Sequence, residues 1–367
     1  MTDLIEKFKL SKQDVIASFN IPYVQFLNAQ AQAIKTLPTF ANKENLTALY
    51  TKMFTLRTFD TKTINLQRTG KLGTYASTLG QEAISVGAGA AMQQNDVLAP
   101  YYRDYGAQLQ RGVSMTELLQ YWGGDERGNA YANCPEDFPI SVPIASQCLH
   151  ATGIAKAIQY RKEDRAVVTT CGEGGTSKGD FYEALNLAGA WQLPVVFLVN
   201  NNQWAISVAR SSQTHSHTIA QKAIAGGFEG IQVDGNDVIA VKEVMTYALE
   251  KARHGDGPTL IEAMTYRLCD HTTADDASRY RNQAEVEQAW QKEPIKRLRT
   301  YLEQQGWWDN DSEAELQVKA AEQVNDAVQA YLNKPKAEID SIFDYMYEQI
   351  TPELMLQKAH AKQFGGK

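Results

Sequence analysis

The clearest pattern along the chain lies between Ala166 and Ser207. Ala166 to Cys171 is an apolar run rich in β-branched residues, stopped by Gly172-Glu173-Gly174-Gly175. A run halted by glycines predicts a buried strand ending in a tight turn. From Asp180 onward, Phe181, Ala184, Leu185, Ala188 and Trp191 fall on one helical stripe. Pro194 then precedes Val195-Val196-Phe197-Leu198-Val199, apolar at every position, as expected of a parallel strand covered on both faces. The unit reads strand, glycine turn, helix, strand, with a right-handed crossover. Both strands run the same way, so Glu173 and Asn202, each just past a strand's carboxyl end, are expected at one edge of the sheet. Ligands of open α/β sheets bind there.

The same patterning extends on both sides. Residues 1–42 carry only weak strand signals and are expected as an N-terminal arm that packs on a neighbour or stays loose. A helical pattern starts at Lys43 and runs through Leu46, Leu49, Tyr50, Met53, Phe54 and Ile64. Gln81–Gln93 reads as a small-residue helix, Val97–Tyr101 as a short strand, Met115–Trp122 and Ala145–Glu163 as helices. Residues 123–143 form a long loop without periodicity, and such loops in compact domains are usually functional or disordered. Beyond the central unit, Gln203–Thr218 is expected as polar loop and Ile219–Ala225 as a short helix. Glu229–Val233 and Thr259–Thr265 are predicted strands flanking a helix over Val238–Ala252. Strands alternating with helices predict an α/β fold built on a doubly wound, mostly parallel sheet over residues 43–283. The rest, 284–367, reads as helical over 284–304, 312–332 and 336–347. Trp307 and Trp308 suit core filling better than an interface.

Composition adds exclusions. The 367 residues suffice for one large domain or two smaller ones, and 43% hydrophobic with 22% charged residues is ordinary for a globular protein. The net charge of −7 argues against nucleic acid or an anionic membrane as main partner. No stretch approaches the roughly 20 apolar residues of a membrane span. The N-terminus has no apolar core for a signal peptide, and the four cysteines are scattered without a C-x-x-C pair. A cytoplasmic protein with reduced thiols is expected.

A carboxylate, an amide and a glycine turn at a helix entrance suit a magnesium ion carrying a diphosphate. Magnesium takes octahedral oxygen ligands, often only one or two carboxylates plus phosphate and water, and glycines let backbone N–H groups approach phosphate. Gly172-Glu173-Gly174 alone is weak, because a glycine turn after a strand is usually punctuation. The pairing with Asn201-Asn202, reached twenty-nine positions on from Glu173, is stronger. Arg103, after Tyr101-Tyr102 at a strand end, faces the same edge and suits phosphate recognition, although an Arg beside tyrosines is commonly an exposed stacked cation. His271 lies in a second polar loop, 268–282, where a lone His is usually solvated. His215 and His217 are spaced poorly for a metal and read as solvated loop. A nicotinamide dehydrogenase is disfavoured, since GEGGTS is not G-x-G-x-x-G and no acid follows about 20 residues on at a strand end. A binding module without chemistry is the third possibility.

The glycine-acid-glycine turn followed by Asn-Asn resembles the thiamine-diphosphate fingerprint. GEGGTSKGDFYEALNLAGAW and NNNQWAIS further resemble the α subunit of the decarboxylating component of 2-oxo acid dehydrogenase complexes, above all the bacterial pyruvate members. RTGKLGTYASTLGQEA, PYYRDYG, GFEGIQVDGND and the loop from Tyr266-Arg267 through His271 to Tyr280-Arg281 look similar too, so the resemblance covers roughly 45–300. It implies thiamine diphosphate and Mg²⁺ as cofactors. Glu173, the side chain of Asn202 and the backbone carbonyl of Trp204 would ligate the metal. Gly172, Gly174 and Gly175 would line the diphosphate, with N–H groups from Gly174 and Gly175. Tyr102 and Arg103 would contact the diphosphate, Ile144 the pyrimidine side, and His271 the diphosphate while supporting acyl transfer to a lipoyl group. Tyr280 and Arg281 would order the His271 loop. Glu173 departs from the commoner Asp; branched-chain members carry Glu, so metal binding is preserved while the substrate stays open between pyruvate and a branched-chain 2-oxo acid or acetoin. Thr272 stands where animal relatives carry a phosphorylated Ser, so no kinase switch is assumed. The glutamate that protonates the aminopyrimidine belongs to a second α/β domain in this family. The resemblance therefore implies a β subunit as partner in an α₂β₂ assembly, serving a lipoyl-bearing acyltransferase.

Overall fold

The computed structural model describes residues 7–9 and 15–364. Six parallel strands form its central sheet: β1 (Tyr23–Val24), β2 (Val97–Ala99), β3 (Val167–Gly172), β4 (Val195–Asn201), β7 (Glu229–Asp234) and β8 (Thr259–Met264). They lie side by side in the order β1-β7-β8-β4-β3-β2, while β5 (Trp204–Ala205) and β6 (Val208–Ala209) make a separate antiparallel hairpin. The expected doubly wound parallel sheet is present, and β4 is buried at every position, as its unbroken apolar run requires. Register explains the shared edge: Gly172 of β3 pairs with Asn200 of β4, and Asn201 with Met264 of β8.

Helices cover both faces. They are α1 (Lys43–Arg68), α2 (Glu82–Ala91), α3 (Tyr105–Arg111), α4 (Met115–Trp122), α5 (Ser146–Arg161), α6 (Gly179–Trp191), two short turns α7 (Arg210–Gln213) and α8 (Lys222–Gly226), and α9 (Val238–Arg253). The tail holds α10 (Gln283–Trp290), α11 (Pro294–Gln304), α12 (Asn310–Leu332) and α13 (Pro352–Phe364). On one face α5 and α6 bury Cys148, Ala151, Ala155, Phe181, Ala184, Leu185 and Ala188 against β3 and β4. On the other α2 and α9 bury Ile84, Ala88, Ala240, Val241, Val244 and Met245. A third cluster joins α1, α3 and α4 to the tail helices α11 and α12. Among the described residues no helix is long and apolar enough to cross a membrane.

Several expectations are corrected. The arm is not outside the sheet throughout: Tyr23 and Val24 pair with Gln232 and Val233, and the Phe26 and Leu27 N–H groups both donate to the Asp237 carboxylate at 2.7 Å. Its residues 1–6 and 10–14 lie outside the described residues. Trp191 leaves the apolar stripe, half exposed under the Lys156 ammonium. The helix expected over 284–304 breaks at Glu293, whose carboxylate caps the Ile295 and Lys296 N–H groups while Pro294 opens α11. A proline at the first helical position is favourable, but the residue before it is pushed out of the helical region. No α-helix forms over 336–347; a single 3₁₀ turn, Ile339–Ile342, stands there, and the apolar spacing has no face to bury, since Ile342 and Tyr345 are exposed. The final helix comes later as α13. Trp307 and Trp308 pack within the chain, Trp308 edge-on to Tyr50 at 5.1 Å with its indole N–H on Glu313 at 2.8 Å. The 123–143 loop is tied down by Asp137, which accepts the Leu98 N–H at 2.9 Å and pairs with Arg111.

Candidate active site

The ten residues expected to hold the cofactor and metal meet in one cleft of about 210 Å³ at the carboxyl edge of the sheet: Tyr102, Arg103, Ile144, Gly172, Glu173, Gly174, Gly175, Asn202, Trp204 and His271. β3 ends in extended backbone at Gly172, and a 3₁₀ turn, Glu173–Ser177, precedes α6, so the glycines enter a tight turn rather than α6 itself. A Cβ on Gly172 would meet only open space, whereas one on Gly174 would sit 2.5 Å from the Ala205 Cβ of the hairpin. Gly174→Ala is therefore expected to destabilise the protein by about 1–3 kcal/mol through overpacking. Denaturant unfolding measures that loss, and Gly172→Ala should lack it.

Glu173 is buried at 2% exposure. One carboxylate oxygen accepts the Asn202 N–H at 3.3 Å, and the other has no hydrogen-bond partner. Burial pushes its carboxyl up to about 7, a rise tempered by the Asn202 N–H and by the Arg267 and Arg103 charges. Asn202 and Asn201 divide their work. The Asn201 amide turns back into the sheet and donates to Glu262 at 2.6 Å; the Asn202 amide donates to Gln81 Oε1 at 2.9 Å, and its oxygen accepts the Trp204 N–H at 3.2 Å. The β5–β6 hairpin that carries Trp204 holds two non-glycine residues at positive φ, Gln203 at +72° and Ile206 at +54°. Such conformations cost about 1–3 kcal/mol and cluster at functional sites. The Trp204 carbonyl accepts Arg267 Nη1 at 3.3 Å, which uses one of its two lone pairs.

On the opposite wall, Arg103 is buried at 2% exposure. It donates to the Ser77 and His271 carbonyls, approaches His271 Nδ1 at 3.1 Å and lies over the Tyr102 ring at 5.3 Å. Ser77 is itself held by Asp60 of α1, a fully buried carboxylate that also takes the Tyr75 hydroxyl at 2.9 Å and the Thr78 N–H at 2.8 Å. Arg267 brings a second guanidinium to His271 Nδ1 at 3.3 Å. Burial, then these two cations, push the His271 imidazole down to about 4. It is neutral at pH 7, with Nδ1 accepting and the proton on Nε2. The loop is pinned by the His271 N–H on Asp275 at 2.7 Å, by Tyr280 on Asp275, and by Arg281 on the Cys269 carbonyl at 3.0 Å. Ile144 is partly exposed at the rim, next to Ala145 at φ +63°.

Gln81 and Arg267 lie within the resembling motifs but were given no role from the sequence; Arg267 also closely follows β8, which pairs with β4. His215 and His217 are exposed, and among the described residues no cluster of three metal-ligating side chains occurs.

A buried acid, an amide and paired cations at the carboxyl edge of a doubly wound sheet define an α/β enzyme whose cleft is built for a charged ligand. The family model described as dehydrogenase E1 component matches residues 50–340. The 3-methyl-2-oxobutanoate dehydrogenase subunit alpha of Mycobacterium tuberculosis is 45% identical over 316 residues, 86% of each chain. The pyruvate dehydrogenase E1 component subunit alpha of Acholeplasma laidlawii is 39% identical over 326 residues, 88% of this chain and 94% of its own. That of Staphylococcus aureus is 39% identical over 315 residues, 86% and 85%. The chain belongs to the dehydrogenase E1 component family. The resemblance to α subunits of the decarboxylating component of 2-oxo acid dehydrogenases is thereby borne out.

Proposed function

We propose that this chain is the α subunit of a pyruvate dehydrogenase E1 component that binds thiamine diphosphate and Mg²⁺ in the cleft and works with a β subunit as α₂β₂. Glu173 carries this reading: a carboxylate lining the cleft, buried, with one oxygen lacking any partner, has the chemistry of a metal ligand. The donor set fits. Glu173 and Asn202 supply hard oxygens, the Trp204 carbonyl retains a lone pair, and the open space at Gly172 leaves room for the diphosphate. When bound, thiamine diphosphate supplies the electron sink for loss of CO₂ from a 2-oxo acid.

The chain's own residues do the rest. Mg²⁺ would require Glu173 as the carboxylate, so metal binding would be coupled to release of any proton it holds. Gly174 and Gly175 would offer N–H groups to the diphosphate, Tyr102 and Arg103 would contact it, and Ile144 would meet the pyrimidine side. His271, neutral with Nε2–H free to donate, stands ready for the acyl transfer to the lipoyl group of the acyltransferase component. The cleft falls below the roughly 300–1,000 Å³ of a complete ligand site, which supports a second wall from the β subunit. On this reading residues 43–283 carry the cofactor and 284–367 brace them through α11 and α12. Four free thiols suit a reducing compartment, the cytoplasm.

The 45% identity to the Mycobacterium tuberculosis subunit favours a second substrate, 3-methyl-2-oxobutanoate. Turnover of the reconstituted αβ enzyme on both acids separates the two. If pyruvate is the substrate, kcat/KM for pyruvate is expected to exceed that for 3-methyl-2-oxobutanoate by about tenfold or more, the range a site fitted to the smaller acid gives for extra methyl groups (about 1–3 kcal/mol). The reverse order would assign the branched-chain reaction. A thermal shift of the αβ enzyme with Mg²⁺ plus thiamine diphosphate should accompany either; no shift and no turnover would leave a binding module without chemistry.

A further inference from the structure

We propose that Gln81 is a positioning residue for the metal: it fixes the Asn202 amide so that the oxygen, not the nitrogen, is presented to Mg²⁺. The proposal rests on the metal site described above. An asparagine offers an oxygen at one end of its amide and an NH₂ at the other, and only the oxygen can ligate a hard cation. Reversed, the amide would turn two N–H dipoles toward the ion. Some neighbour must therefore select the rotamer.

Two bonds do so. The Trp204 N–H donates to Asn202 Oδ1 at 3.2 Å, and Asn202 Nδ2 donates to Gln81 Oε1 at 2.9 Å. Reversal would break both and set N–H against N–H at Trp204. Trp204 sits on a strained hairpin, whereas the Gln81 backbone is anchored, so Gln81 is the steadier of the two partners. Its N–H donates to the Thr78 carbonyl at 2.8 Å. The preceding Gly80 donates its N–H to Glu82 at 3.0 Å and accepts the Thr265 hydroxyl at 3.0 Å, and Glu82 is held by Arg57 at 2.7 Å. Gln81 is 1% exposed, and its own Nε2 has no hydrogen-bond partner. A buried amide that leaves its donor end unsatisfied while engaging Asn202 with its acceptor end gains little for stability. Orientation of a ligand explains its presence, as outer partners commonly orient metal-binding side chains.

The test uses the αβ enzyme and titrates Mg²⁺ at saturating thiamine diphosphate, read by calorimetry. Gln81→Leu removes the acceptor at similar volume, and the Mg²⁺ dissociation constant is expected to rise about 10–100-fold. Gln81→Met repeats the measurement with a side chain that repacks more easily. Gln81→Glu keeps an acceptor oxygen in either protonation state and should restore affinity to within about threefold of the parent, in line with rescue of the same partner contact. Gln81→Leu removes one unsatisfied buried donor and leaves the Asn202 Nδ2 without its acceptor, so the melting temperature without metal is expected to change little. A purely structural glutamine would instead lower that temperature and leave the metal dissociation constant alone. Parent-like Mg²⁺ affinity in both Gln81→Leu and Gln81→Met, with Asn202→Ala impaired, would overturn the role of Gln81 and leave the site intact. Parent-like affinity in Asn202→Ala as well would overturn the metal site itself.

Discussion

Replacing Glu173 by alanine is expected to raise the Mg²⁺ dissociation constant, at saturating thiamine diphosphate, by more than about 100-fold. Loss of an outer partner alone costs 10–100-fold in metal sites, so removal of a direct ligand should exceed that range. The variant also isolates a pH effect. Burial raises the Glu173 carboxyl from an ordinary value near 4.5 to about 7, so without metal the folded protein holds a proton that the unfolded chain has lost. Stability from this group is fully present below the unfolded value and is lost as pH rises through about 7. Mg²⁺ reverses the sense: it requires the carboxylate, and its affinity should fall about tenfold per pH unit below the folded pKa. Asp104 is pushed by burial to about 7 as well, with the same sign, so only the difference between parent and variant reports Glu173. Melting curves from pH 5 to 8, with and without Mg²⁺, supply that difference. Unchanged Mg²⁺ affinity in Glu173→Ala would sink the metal assignment.

The site was legible where strand ends carried it. Parallel strands covered on both faces write long apolar runs, so β3 and β4 are plain in the sequence, and their shared direction puts Glu173 and Asn202 on one edge. Trp204 and Ile144 are different. Neither lies at a readable strand end, and both came from family resemblance alone, although the cleft includes them. The hairpin that carries Trp204 was hidden because Gln203 and Ile206 take positive φ, the conformation sequence rules reserve for glycine and asparagine. The contacts of Gln81 and Arg267, which lie inside quoted motifs, were not readable for another reason: their partners Asn202 and Trp204 lie 121 and 63 residues away in the chain. No local pattern encodes such contacts. β1 is only two residues long, too short for any alternation to show. The break at Glu293 was visible as Pro294, but the apolar spacing continued across it and masked the stop.

His271→Ala is expected to slow acyl transfer to the lipoyl group by roughly 10²–10⁴-fold, the range for loss of a positioned proton donor or acceptor. Decarboxylation, followed with an artificial electron acceptor, should fall far less. The geometry gives the reason. Two guanidiniums, Arg103 at 3.1 Å and Arg267 at 3.3 Å, occupy the Nδ1 side and leave only Nε2–H to act. Those same cations and burial hold the imidazole near 4, below its usual 6.5, in the protein without its cofactor. The sign for stability follows from a lowered folded value. The contribution is present above pH 6.5 and is lost as pH falls toward 4, and the alanine variant should lack that loss. Alanine also leaves Arg103 without its ring acceptor, so His271→Asn serves as control, since its amide oxygen can take the place of Nδ1 in holding both guanidiniums. Transfer slowed equally in both variants, with decarboxylation spared, assigns the function to Nε2–H. Equal loss of decarboxylation and transfer in His271→Ala, recovered by asparagine, would instead make the residue a clamp for Arg103 and nothing more.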